Sequence, residues 1–580
     1  TTGLENTAVG YSSLGANITG QRSVAIGNNA LGSNLASGWT YNTAVGWGAG
    51  SNNTVGSSGT FIGSRAGYNA TGSYNTFVGT SAGEGGTTSA PFSSGTSNVA
   101  MGYQALTAFT TGNSNTAVGF YSGKSITTAA QNTLVGIFSG QSLTTGGENT
   151  AVGNSALHSE DTGTRNVGVG HSAFYKSNYD GTGYNTGLGY AVGYHNVLGV
   201  SNTYLGGQAG LNATGSYNTF VGHLAGYGGN TSAPYSSGQY NTALGYQALT
   251  AFTEGTHTTA IGYQAGKAQV DSYDNTWIGA RSGQANAVGD GNVTLGDRAL
   301  YSDTSGHRTI AIGKDALHAF SGSGTTAYNS DVTKIIVIGY HAGYYMGSVP
   351  GGSWPQATRS TNNVVIGYHA SYTHRDGGSN VVIGTEALNG IGNHTQGSVY
   401  IGESSGQNVA SGSYNVAVGG YTGRYATGSY NTFVGYKAGT GGTTSAPFSS
   451  GPNNTAVGYQ ALTAFTTAED NTALGMYAGR ALTTGNSNTL LGNGAGDTMT
   501  ATSNTVLIGV GAGTAINATG ANGTVAIGFQ AANALTSGAG TVVIGYQAGD
   551  ALTSSQGSVA IGYEALSSED TGLGSVAIGY

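Results

Sequence analysis

Cysteine is absent from the chain, proline occurs six times, methionine four times, and Asp, Glu, Lys and Arg together make up only 7% of 580 residues. Without cysteine there is no disulfide framework and no thiolate metal centre. The formal net charge of -8 is dilute over this length. No run of Lys or Arg supplies the basic stripe that nucleic acid requires, so no nucleic-acid partner is expected. No apolar run approaches the ~18 residues of a membrane span, and no charged segment precedes a signal core at Thr1. Membrane insertion of this segment is not expected. Both ends fall inside repeat-like sequence, and the natural molecule is expected to continue beyond them.

What fills the gap is small and polar: 106 Gly, abundant Asn, Ser, Thr and Ala, and 37 Tyr. A Gly/Ser/Thr-rich chain can be a disordered linker, but 38% hydrophobic residues with steady spacing of Val, Ile and Leu supply material to bury.

That spacing is a repeat. An aliphatic-Gly step recurs at Gly10, Gly27, Gly46, Gly63, Gly79 and onward to Gly579, giving 32 marks and 31 intervals, of which 19 share one length. A fixed period of about 17 residues means stacked supersecondary units that cannot bury their apolar faces alone. The pattern predicts an all-β parallel β-solenoid of about 32 coils spanning 1–580, roughly 150 Å long at ~4.8 Å per coil. Residues 314–366 are predicted as irregular coils with long inserted loops. A longer duplication overlies the short one, with NATGSYNTFVG at Asn69 and Asn212 and a shifted copy from Ala426. Each copy has a longer coil, whose extra residues around Pro91, Pro234 and Pro447 are expected to bulge, because Pro cannot serve a central ladder.

The residues around each mark carry physical roles. The aliphatic before Gly (Val9, Ile26, Val45, Ile62) and the Thr or Val two residues earlier (Thr7, Val24, Thr43) are read as inward-facing. Strand alternation then places the intervening residue on the opposite face, where Phe77, Tyr204, Phe220, Trp277, Tyr400 and Phe433 would lie outside the coil or be buried against a neighbouring subunit. The same reading turns the repeated Thr away from solvent and argues against an ice-binding face. Small residues three positions after the mark (Ala30, Ala49, Ala66, Ala105, Ala156) suggest a second short strand or a bend packing on the first. Four positions before it stands Asn in 21 of 32 coils, suited to an amide ladder from coil to coil. The Gly itself marks a bend that a Cβ would obstruct.

Candidate sites are few. Gly492 to Gly496 and Gly509 to Gly513 superficially resemble phosphate loops, but they coincide with the repeat's own marks and lack the strand, helix and Lys context. His341 and His369 share register, two residues after consecutive marks, and read as stacked imidazoles rather than metal ligands, which need convergence and a supporting shell. Glu386 and Glu403 are the carboxylates that a glycan-cleaving groove could use, and their alignment is what chance supplies. No catalytic residues, metal or cofactor are expected. Tyr344, Tyr345, Trp354, His374 and Arg375, on expected loops of the irregular stretch, are the ligand-binding candidates. Asn17, Asn69, Asn212 and Asn517 stand in glycosylation sequons.

RSVAIGNNALG at Arg22, GSVAIGYEALSS at Gly557 and the NTAVGYQAL form resemble the head repeats of trimeric autotransporter adhesins and repeats of tail-fibre-like and bacterial surface proteins. The resemblance covers nearly the whole chain. It implies a left-handed parallel β-roll that self-associates as a homotrimer on a cell surface or virion tail. The family unit is commonly shorter than the repeat found here, and no coiled-coil stalk or membrane anchor accompanies it. The function expected is a structural, adhesive extracellular fibre binding a surface glycan or host receptor. A receptor-binding phage tail fibre is the alternative, and a glycan depolymerase the third reading.

Overall fold

The computed structural model describes residues 3–87, 92–233, 235–320, 334–346, 361–374, 377–390, 395–442, 448–517 and 519–580. It is an all-β parallel solenoid of about 31 turns, and the only helical element among the described residues is a single 3-10 turn at Thr519–Ala521. Two compact units divide it, 1–280 and 281–580. The first contributes sixteen mark strands, from Thr7–Val9 to Thr276–Ile278, and the second sixteen more, from Val293–Leu295 to Val576–Ile578. Each is three residues long and ends at the residue before the marker Gly. Neighbours pair in parallel with matching register, as in Thr116↔Thr133, Ala117↔Leu134 and Val118↔Val135.

Parallel pairing forbids a tight hairpin, so the chain must circle once between strands. The circuit is made of bends whose N–H groups donate to the adjoining turn: Leu106 to Ser122 at 3.0 Å, Gly123 to Ser139 at 2.9 Å, and Gly140 to Ala156 at 2.9 Å. At the marks, φ is +137° for Gly119, and a Cβ there would lie 2.4 Å from the carbonyl oxygen of Gly136. Glycine is therefore required twice over, by the dihedral and by the next turn.

The strand faces are the reverse of the sequence expectation. The middle residue of each triplet points into the coil: Phe77, Phe220 and Trp277 have no exposed surface, and Tyr204, Tyr400 and Phe433 only 1%. These six are core, not an interface. The flanking positions face out, with Ile26 39%, Leu205 43% and Leu295 48% exposed. The two faces alternate as expected but in the opposite sense: the uniform aliphatic pair is outside and the variable middle residue is buried. The true core is set by complementary volumes. Each buried aromatic at the middle position has Gly four residues after the mark: Phe61 with Gly67, Phe77 with Gly83, Tyr204 with Gly210, Trp277 with Gly283, Tyr400 with Gly406 and Phe433 with Gly439. Where the middle residue is Ala, as at Ala25, Ala100 or Ala243, that position can hold Leu31, Leu106 or Leu249, also buried. The outward Thr removes the premise of the argument against a Thr-lined solvent face.

The amide ladder is present. Asn132 N–H and Nδ2 each donate to Asn115 Oδ1 at 3.0 Å, Nδ2 also donates to the Gly146 carbonyl at 3.0 Å, and Asn132 Oδ1 accepts the Asn149 N–H at 2.9 Å. Asn132→Ala is expected to cost about 3 kcal/mol, since each buried group left unpaired costs ~1–3 kcal/mol. Asn132→Ser should recover part of it, because Ser398 at the same register accepts the Asn415 N–H at 3.1 Å. Hydrogen exchange of the Asn149 amide checks this. It should accelerate strongly in the Ala variant and less in the Ser variant.

Candidate functional site

Most of the surface repeats itself; one part of the second unit concentrates ionisable side chains. Arg298, Asp315, His341, His369 and Glu386 all stand two residues after consecutive marks, with φ between +51° and +56°. Backbone bonding holds the row in register, since the N–H groups of Asp315, His341, His369 and Glu386 donate to the carbonyls of Asp297, Lys314, Tyr340 and Tyr368 at 2.9–3.1 Å. The turns from Gly313 to Gly339 and from Gly339 to Gly367 are the longest in the chain, yet this register is unbroken.

The carboxylate of Asp315 is 2% exposed. Its Oδ2 lies 2.8 Å from Arg298 Nη2 and 3.3 Å from His341 Nε2, and its Oδ1 is 3.8 Å from His318 Nε2. His341 Nδ1 and His369 Nε2 share a 3.2 Å hydrogen bond between rings within 4° of parallel. Two aromatic rows flank these groups. On one side Tyr340 stacks with Tyr368 at 5.6 Å; on the other, Tyr301, His318 and Tyr344 stack in succession at 4.9 and 4.7 Å. Burial pushes His318 below its ordinary value, with Asp315 opposing, and lowers His369, aided by His341. Burial also raises the Tyr344 phenol, with Asp315 adding to it. Arg298 balances the buried Asp315 carboxylate. The surface thus offers ring edges, phenol hydroxyls and imidazole nitrogens. Ring faces between stacked partners are covered, which disfavours a sugar lying flat on them.

Of the residues singled out from sequence, His341 and His369 are stacked as expected. Tyr344 and Tyr345 adjoin this cluster, their rings edge-on at 4.7 Å, with Tyr345 37% exposed. His374 does not: it is 2% exposed, and its Nε2 is 2.8 Å from Thr395 Oγ1 inside the coil. Trp354 and Arg375 lie outside the described residues, as do Pro91, Pro234 and Pro447. Among the described residues no group of three His, Cys, Asp or Glu side chains converges as metal ligands would. Glu386 accepts Gln407 Nε2 at 3.0 Å and Glu403 accepts the Tyr421 hydroxyl at 3.0 Å. The Gly492 and Gly509 loops are ordinary turns, with Ala495 and Ala512 buried. Asn69 and Asn212 are 2% and 1% exposed, which removes both as glycan acceptors in the folded chain. No sequence motif marks Arg298, Asp315, His318 or Tyr372, but the register shared by His341 and His369, extended two turns back, reaches Asp315 and Arg298.

In the first unit His195 stacks on Tyr235 at 4.1 Å with Tyr194 edge-on at 4.7 Å, and its Nδ1 is buried without a hydrogen bond. Burial, then Lys176, pushes it down to about 4. A depressed imidazole favours folding above the unfolded value of ~6.5, and this contribution is lost as pH falls from there toward 4. NMR titration should find His195 neutral at pH 5, and Tyr235→Ala should move its midpoint upward.

No known family model matches the chain, and no curated protein matches it significantly. Among the described residues no helix is long and apolar enough to cross a membrane.

Proposed function

We propose that the protein is a structural and adhesive extracellular fibre, whose turns supply length and whose Asp315 cluster supplies recognition of a surface glycan or host receptor. The observation that carries this is the uniform bonding between turns. Each circuit directs backbone donors to its neighbours, joined in most circuits by the ladder Asn, so added repeats lengthen a stack. The likeness of the SVAIG and NTAVG steps to adhesin head repeats and tail-fibre repeats supports the same reading, on a cell surface or virion tail.

Self-association as a homotrimer would use the outward Thr/Val and Val/Ile rows, not the buried aromatics. From Val293–Leu295 to Val416–Val418, seven successive strands present only aliphatic side chains on this face. Sixteen strands, three residues wide, give roughly 750 Å² per unit, close to the ~800 Å² each partner buries in a standard interface. High-resolution electron microscopy of the native assembly tests it: three chains with those rows covered are expected, and isolated single chains would overturn the trimer. Tyr345→Ala and His369→Ala should weaken attachment to the target surface without changing the assembly.

A second reading, adsorption to ice, is favoured by the six successive outward threonines from Thr186 to Thr276. Measured thermal hysteresis would support it, and ice growth indifferent to the protein would dismiss it.

A further inference from the structure

The residue after each mark faces solvent, and in several adjacent turns it is Tyr. Tyr246 and Tyr263 stack at 5.6 Å and 9°, Tyr436 and Tyr459 at 5.7 Å and 14°, and Tyr546 and Tyr563 at 5.1 Å and 7°. All six are 42–49% exposed. Their spacing is fixed by the backbone: the carbonyls of Tyr246, Tyr436 and Tyr546 accept the N–H of Gln264, Gln460 and Glu564, each immediately after the paired Tyr, at 2.8–2.9 Å.

We infer that these in-register pairs are sites of oxidative cross-linking, at which neighbouring turns become joined by dityrosine. Phenols are the side chains of this cysteine-free chain that can couple to each other under one-electron oxidation. Each phenol gives up one electron and its hydroxyl proton. Unpaired spin in the resulting phenoxyl radicals reaches the ring carbons beside the oxygen, where one carbon–carbon bond forms between the two rings. The hydrogen on each coupling carbon moves to the ring oxygen, restoring both phenols. The pair has then lost two electrons and two protons, which hydrogen peroxide takes up as two waters through a haem peroxidase. Parallel rings one turn apart hold the coupling carbons at high effective concentration, and only side-chain rotation is needed to bring them together. The product closes a loop of one turn and ties each strand to its neighbour, a constraint that small extracellular proteins obtain from disulfides. This holds whatever the stack binds.

The test treats the native protein with hydrogen peroxide and a haem peroxidase, then reads dityrosine fluorescence and maps cross-linked peptides by mass spectrometry. Joined peptides containing Tyr246–Tyr263, Tyr436–Tyr459 and Tyr546–Tyr563 are expected, within one chain and at a yield independent of protein concentration. Tyr563→Phe should remove the Tyr546–Tyr563 product and leave the other two. Oxidation in denaturant should scatter the pairings. Three results would overturn the inference: absence of cross-linked peptides, a predominance of links between chains that rises with concentration, or equal yield at Tyr421–Tyr436, whose planes stand at 75°.

Discussion

Phe77→Ala should destabilise its part of the stack by about 3–5 kcal/mol, and Gly83→Leu placed in the same chain should return a large share of that loss. Phe77 is fully buried, its ring 5.8 Å from Phe61 and 5.5 Å from Phe109. A Cβ on Gly83 would sit 2.5 Å from the Phe77 ring, so Gly83→Leu alone overpacks the coil and costs ~1–3 kcal/mol or more. With the ring gone, the leucine fills the space, as Leu106 does opposite Ala100 one turn on. Its backbone is already suitable, since Leu106 adopts φ +53° and Gly83 φ +52°. The double-mutant cycle therefore predicts a strong favourable coupling between two substitutions that are each harmful. A chain of stacked repeats need not unfold in one step, so the readout is hydrogen exchange of amides from Thr60 to Val118. Additive losses would show that the two positions do not share one volume.

Gly119→Ala should separate the stack at a single turn. The backbone conformation alone costs a non-glycine residue ~1–3 kcal/mol, and the new Cβ would also press on the Gly136 carbonyl. Relief requires moving Thr116–Val118 off Thr133–Val135, which breaks the inter-turn bonding on that side. Limited proteolysis should give a new cut near this turn and leave both flanks protected. The matched control is Gly181→Ala, at φ +120°, where the added carbon would meet only the Tyr179 ring, at 3.5 Å. It should cost only the ~1–3 kcal/mol of the backbone conformation and produce no new cut. Equal sensitivity at both positions would mean that the dihedral, not the neighbouring turn, makes the marker Gly necessary.

Much of the architecture could be read from the chain. The marker Gly, the Asn ladder and the period follow from the chemistry of single residues repeated at fixed spacing, and each appears in the structure with the role read for it. The inversion of the strand faces has a definite source. Val9 and Ile26 look like core because they are uniform and aliphatic, and Phe77 and Trp277 look external because their position varies. Within the narrow interior of one coil, however, variation is allowed whenever a second position compensates, and the pairing of Phe61 with Gly67 or Ala25 with Leu31 was present in the sequence as that compensation. The candidate site was half legible. His341 and His369 share a register visible in the sequence, but Asp315 becomes notable only because Arg298, His341 and His318 converge on it while its carboxylate is cut off from water.

The sequence by itself determined the repeat, the turn chemistry and which side chains share a strand face, because those depend on spacing and on the conformations that Gly and Asn permit. Tertiary structure alone decided which face is inside and which distant residues meet. Closing each short circuit leaves an interior just wide enough for one large side chain opposite a glycine. That limit on volume is a property of the closed coil, and no strand carries it alone.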